Sequence, residues 1–220
     1  MPWRDALAIL RLPSRLGWTL VLAGAGVLAA AAEPDRTAVL AAAILAAYLA
    51  AAQLVEPLRA EADQPDASRQ LPWSWGELLL LHCPVPALAL AVIGAVASGL
   101  AWALGLLHGV AAWLALAGCL PVAAVLVATA AIAGQRGRLS PGTLTTAYRL
   151  GEFGGPTYLF GWIATGPLLA EVVLGIPTAV LRGAAGQPAA LPDAASAAAV
   201  LLLTVLLAEL AYLRARPAPA

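Results

Sequence analysis

The sequence predicts an all-α membrane protein: six transmembrane helices behind an N-terminal interfacial helix, with both termini cytoplasmic. Three observations carry that expectation. Hydrophobic residues make up 62% of the 220 positions, where soluble domains hold roughly 45–50%. Six apolar stretches each approach the ~20 residues that a helix needs to cross the hydrocarbon core. Ten of the twelve arginines fall on one side of the resulting path, and the positive-inside rule makes that side cytoplasmic. The mean hydropathy of +0.87 agrees.

The chain opens with "WRDALAILRLPSRL", residues 3–16. Arg4, Arg11 and Arg15 recur at helical spacing, while Trp3, Leu7, Ile9, Leu10 and Leu16 supply an apolar side. Residues 1–16 therefore read as an amphipathic segment in the membrane interface, kinked or ended by Pro13. The first span follows at about 17–33. Its run "GWTLVLAGAGVLAAAAEPD" also has the form of a signal peptide with an alanine-rich cleavage site. The arginine asymmetry fits an uncleaved, even number of spans better. Further spans are expected at about 37–55, 77–101, 109–133, 156–179 and 194–213. Isolated strands cannot cross lipid, because their backbone groups would lack partners. The six-span domain then covers 17–213, with an extracellular loop at 180–193 and a cytoplasmic tail at 214–220.

Charge concentrates in one place. Charged residues are 11% of the chain, yet seven crowd into the 25 positions of "LVEPLRAEADQPDASRQLPWSWGEL", residues 54–78. On this topology, residues 56–76 form a cytoplasmic loop. Arg59 and Asp63 are one helical turn apart and can pair. Pro57, Pro65 and Pro72 keep any helix short. Trp73 and Trp75 mark re-entry into the bilayer, since indoles favour the headgroup level.

The stretch "AAYLAAAQLVEPLRAEADQPDASRQLPWSWGELLLLHCPVP" resembles the region after the second span in permease subunits of type-2 ABC exporters. It is especially similar to uncharacterised actinobacterial members of that family. The likeness covers the layout of most of the chain and rests, residue by residue, on positions 48–86. It implies an interfacial N-terminal helix, six spans with both ends inside, and a coupling segment that docks on an ATP-binding ABC subunit. Glu56, Arg59, Glu61, Asp63, Asp66 and Arg69 would belong to that segment, with Trp73 and Trp75 as its interfacial anchors. The loop "PTAVLRGAAGQPAALPDAAS" at 177–196 matches the family's last extracellular loop. The proline content of the coupling segment departs from a regular helix. A single six-span unit also implies a second permease copy or a paralogue.

Several chemistries are excluded or poorly served. All twelve basic residues are arginine, as in proteins of GC-rich bacteria. A P-loop needs its lysine, so this chain cannot supply one, and ATP hydrolysis would sit on a partner. Neither HExxH nor GxSxG occurs. The expectation is a transport subunit of the cell membrane, not an enzyme, with no cofactor or metal of its own. A net charge of zero gives no bulk attraction to nucleic acid. Cys83 and Cys119 lie in apolar runs and read as buried small side chains, and His82 and His108 as interfacial polar residues. Glu171, within "GPLLAEVVLG", is placed inside span 5, where a carboxylate usually faces a cavity or a partner. It would line a substrate path or carry a proton, or else sit near the outer interface. "RLGEFGGPTYLFGW", 149–162, reads as the turn that starts span 5. Gly24, Gly26, Gly94 and Ser98 are small enough for close helix packing. Besides the exporter permease, the alternatives are a non-transporting membrane scaffold or assembly subunit, and a proton-coupled carrier built on Glu171.

The topology is open to direct test. In a background lacking Cys83 and Cys119, a cysteine at position 66 should resist an impermeant thiol reagent in intact cells, and one at position 36 should react. Labelling at 66 from outside would overturn the arrangement.

Overall fold

The computed structural model describes residues 2–62, 75–134, 145, 148, 149 and 164–175. Among these, every regular element is a helix. The order is α1 (Pro2–Leu10), α2 (Pro13–Ala32), α3 (Thr37–Leu54), α4 (Glu56–Ala62), α5 (Trp75–His82), α6 (Pro84–Ala103), α7 (Gly109–Gly134) and α8 (Ala164–Gly175). Three stretches are long and apolar enough to cross a membrane: Pro13–Ala32, Leu80–Ala103 and Gly109–Gly134. The shorter α3 and α8 are also apolar. The expected sixth span at 194–213, the loop at 180–193, the tail at 214–220 and the flanks of the fifth span lie outside the described residues.

Proline decides where the first two helices part. Pro13 has no N–H, so it cannot continue the helix begun at Pro2, but it suits the first turn of a new one. Within the expected 1–16 segment the helix breaks where Pro13 was expected to kink or end it. It ends at Leu10, and Pro13–Leu16 belong to the first long helix. The third span, expected over 77–101, corresponds to the apolar stretch Leu80–Ala103, which carries a bend where proline again opens a turn. The chain bends at Cys83, and Pro84 and Pro86 open a fresh helix, α6.

α2, α3, α7 and α6 pack as a ring of four neighbours, with the largest contacts between α2 and α3 and between α6 and α7. The interior combines Ile44, Tyr48 and Leu54 of α3, Leu90 and Ile93 of α6, Val125, Leu126 and Val127 of α7, and Val173 and Leu174 of α8. Outside, Leu88, Val92, Val96 and Leu100 recur every fourth residue along α6 and are 48–68% exposed. An apolar stripe of that kind is costly in water and suited to lipid. Arg15 at the start of α2 meets Glu56 just after α3, while Arg59 lies over Gly134 at the end of α7. His82, just before α6, meets Asp5. The start of α2, the end of α3, the start of α6 and the end of α7 thus share one end of the bundle. The opposite end carries the α2–α3 turn, with an Arg36–Glu33 ion pair of 2.8 Å, and the α6–α7 turn. In that second turn Gly105 takes φ +71°, and Leu106 N–H reaches back to Ala101 O at 2.9 Å. This is a Schellman cap, whose left-handed position favours glycine.

Small residues bring the helices close, though not all the expected ones do. A Cβ added at Gly26 would lie 3.1 Å from Ala43 O, so α2 and α3 approach backbone to backbone there. Gly94 and Ser98 face Cys119 across the α6–α7 contact, whereas Gly24 faces open space. Both cysteines are free and half-buried. The tightest contact is at Gly166, where an added Cβ would run into the Tyr48 ring and lie 2.9 Å from Ala133 Cβ. α8 therefore sits on α3 and α7 only because position 166 has no side chain.

Gly166→Ala should overpack this contact and cost about 1–3 kcal/mol. The thermal midpoint of the purified protein in detergent should fall, while Gly24→Ala leaves it in place. An unchanged midpoint for Gly166→Ala would mean that α8 does not seat against Tyr48.

Candidate functional site

Asp5, Arg15, Glu56 and Arg59 gather at the end where α1, α4 and α5 meet the bundle. α1 is nine residues long, below the ~12–15 at which an isolated helix is stable in water. It persists because it is held. Asp5, in its first turn, is 1% exposed, and its Oδ2 lies 2.8 Å from His82 Nδ1, itself buried. With Asp5 as a carboxylate, the bond requires the proton on Nδ1. The other oxygen, Oδ1, is buried and finds no donor among the described residues. Trp3 and Leu10 point outward instead, 75% and 65% exposed, as suits a helix resting in the interface. His82, expected as an interfacial polar side chain, is thus a core residue. The bend at Cys83 places it at the end of α5, beneath α1.

A second cluster joins α2 to α4. Arg15 Nη2 donates to Glu56 Oε1 at 3.4 Å, and Arg59 Nη1 stands 3.9 Å from Glu56 Oε2. These side chains are about one-third exposed and the contacts are long, so each is worth only about 0–1 kcal/mol. The apolar seat matters more. Leu58 is 2% exposed and packs with Ala131 of α7, a burial worth roughly 1.5–3 kcal/mol. The Arg59 stem crosses Gly134, where an added Cβ would lie 3.1 Å from Arg59 Cγ. α4 is therefore fastened across the bundle end by Leu58, with its charges trimming the edge.

Between these clusters lies a recess of about 230 Å³. Ala8, Ile9, Leu12, Leu16 and Leu54 provide apolar walls, and Arg15, Gln53 and Glu56 the polar groups.

Of the expected coupling residues, Glu56 and Arg59 are brought together, and both also contact other helices of this chain. Glu61 belongs to α4. Asp63, Asp66, Arg69 and Trp73 lie outside the described residues, and so does the expected Arg59–Asp63 pair. Trp75 opens α5. Glu171 is half-buried on α8 and takes no part in the recess. Among the described residues, no three His, Cys, Asp or Glu side chains converge as metal ligands. Reading the sequence missed Asp5, His82, Leu58 and Gly134. One signal was available for the first: Asp5 is the lone acid among residues 1–16, which hold three arginines. Comparison with protein-family models, curated proteins and solved structures finds no match.

Proposed function

We propose that this chain is the permease subunit of an ABC exporter, spanning the cell membrane six times with both termini in the cytoplasm. A separate ATP-binding subunit supplies the energy, and a second permease copy or a paralogue completes the pathway. The observation that carries this reading is the short helix α4, which follows the apolar helix α3 and lies fastened to other helices of the bundle. Leu58 and Arg59 hold it to the end of α7, and Glu56 links it to α2 through Arg15. Displacing such a helix moves two membrane helices with it, which is what a coupling element must do. On this reading, ATP binding moves the ATP-binding pair, residues 56–72 receive the motion, and the bundle alternates between inward and outward access. Apolar walls suit a hydrophobic or amphipathic substrate.

A scaffold that merely holds a partner would use the same helix without transmitting motion, and one experiment separates the two. The tagged chain is purified from its native membrane, and ATP turnover of the complex is measured in lipid nanodiscs, for wild type and Gly134→Leu. The side chain added at 134 displaces Arg59 and unseats α4. The exporter reading expects an ATP-binding chain to co-purify with both forms and turnover to fall about tenfold in the variant, as a 1–3 kcal/mol disturbance would produce. Absence of any ATP-binding chain would contradict it. A co-purifying ATP-binding chain whose turnover ignores Gly134→Leu would favour the scaffold.

A further inference from the structure

The recess beside α1 contains a pair of opposite charges that are not saturated by each other. Arg15 and Glu56 approach to 3.4 Å, longer than the roughly 2.7–2.9 Å of a well-formed charge-assisted bond. Arg15 Nη1 is shielded from solvent; it stands 3.4 Å from the same Glu56 Oε1 but makes no hydrogen bond among the described residues. Glu56 gains little from Arg59 at 3.9 Å. The walls nearby are Leu12, Leu16 and Leu54, with Gln53 as a further polar group. Just beyond, Leu20 of α2, 49% exposed, follows Leu12 and Leu16 at four-residue spacing, an apolar track leading away from the charges along the helix. One site thus offers a cation, an anion and a path for hydrocarbon, at the level where an interfacial helix meets the bundle.

We propose that this recess holds one ethanolamine phospholipid, its phosphate against Arg15 and its ammonium against Glu56, with its acyl chains on the exposed face of α2. The charge pattern selects this class. A zwitterionic headgroup laid antiparallel to the Arg15–Glu56 dipole satisfies both groups at once. An anionic glycerol headgroup would meet Glu56 with the wrong sign, and free inorganic phosphate would do so too while leaving the apolar walls unfilled. A choline headgroup carries no N–H to donate to the carboxylate, whereas a primary ammonium carries three donors. The volume of about 230 Å³ suits a headgroup and its glycerol, not a whole lipid, so the chains lie outside. A lipid so placed would lie between α1 and the α3–α4 junction and hold them in register. The proposal needs only that this end of the bundle lies at the membrane surface. It stands or falls apart from the permease reading.

The test is native mass spectrometry of the full chain released from detergent micelles containing dioleoyl phosphatidylethanolamine, phosphatidylcholine or phosphatidylglycerol. One phosphatidylethanolamine should be retained per chain, and the other two should bind more weakly. Arg15→Gln and Glu56→Gln should each weaken retention at least about tenfold, the scale of one lost charge-assisted hydrogen bond. Ala8→Phe fills the recess, keeps both charges and should displace the lipid, so it reads the same site should either charge variant misfold. Equal retention of all three lipids would overturn the headgroup assignment, as would tightest binding of phosphatidylglycerol. Unchanged phosphatidylethanolamine retention in Ala8→Phe would overturn the site.

Discussion

The buried hydrogen bond between Asp5 and His82 is the contact on which the polar end of the molecule depends. Asp5 depends on it, because its other oxygen finds no donor among the described residues, and a buried acceptor that loses its donor costs about 1–3 kcal/mol. The bond joins residues 77 positions apart, and it ties a helix too short to stand alone to the break that opens α6. With α1 fixed, Leu12 and Leu16 take their places on the wall of the recess, and Arg15 is aimed at Glu56. The position of α4 is thereby linked to α1 on one side and, through Leu58, to α7 on the other.

The rest of the bundle is held by a different force. Lipid gives little hydrophobic drive between apolar helices, so close packing must supply it. The chain meets that need with small residues. Gly26 admits Ala43, Gly94 and Ser98 admit Cys119, and Gly166 admits the Tyr48 ring. Polar side chains inside the helices bond their own backbone: Thr19 to Arg15 O, Cys119 to Ala115 O and Thr129 to Leu126 O. Such bonds satisfy a hydroxyl or thiol without calling on a neighbouring helix. Long-range polar contacts are thus concentrated at one end, where they position α1 and α4.

Much of the helical plan was legible because it follows from local chemistry. Apolar run length located α2, α3 and α7 within a few residues, and the distribution of arginine anticipated that Arg11, Arg15 and Arg59 would share an end while Arg36 stood at the other. The break at Cys83 was written in Pro84 and Pro86, but the length of the apolar run masked it. Long-range pairing was not legible. Nothing in the spacing says that Asp5 meets His82, or that Arg15 meets Glu56 from 41 positions away, since such partners are set by how the helices fold over one another. Nor does sequence alone distinguish Gly166, where an added Cβ would clash with Tyr48, from Gly24, which faces open space. Nor does spacing show that Glu56 and Arg59 contact α2 and α7 of this chain, while Leu58 between them is buried.

The dependence of the polar end on Asp5 and His82 is tested most directly by a double-mutant cycle. Thermal stability in lipid nanodiscs is measured for Asp5→Leu, His82→Leu and the pair together. If the bond holds α1 to the bundle, each single change already removes it, so the double variant is less damaged than the two losses added, with a coupling of roughly 0.5–3 kcal/mol. Simple additivity of the two losses would show that the residues act independently, and that α1 is held by something else.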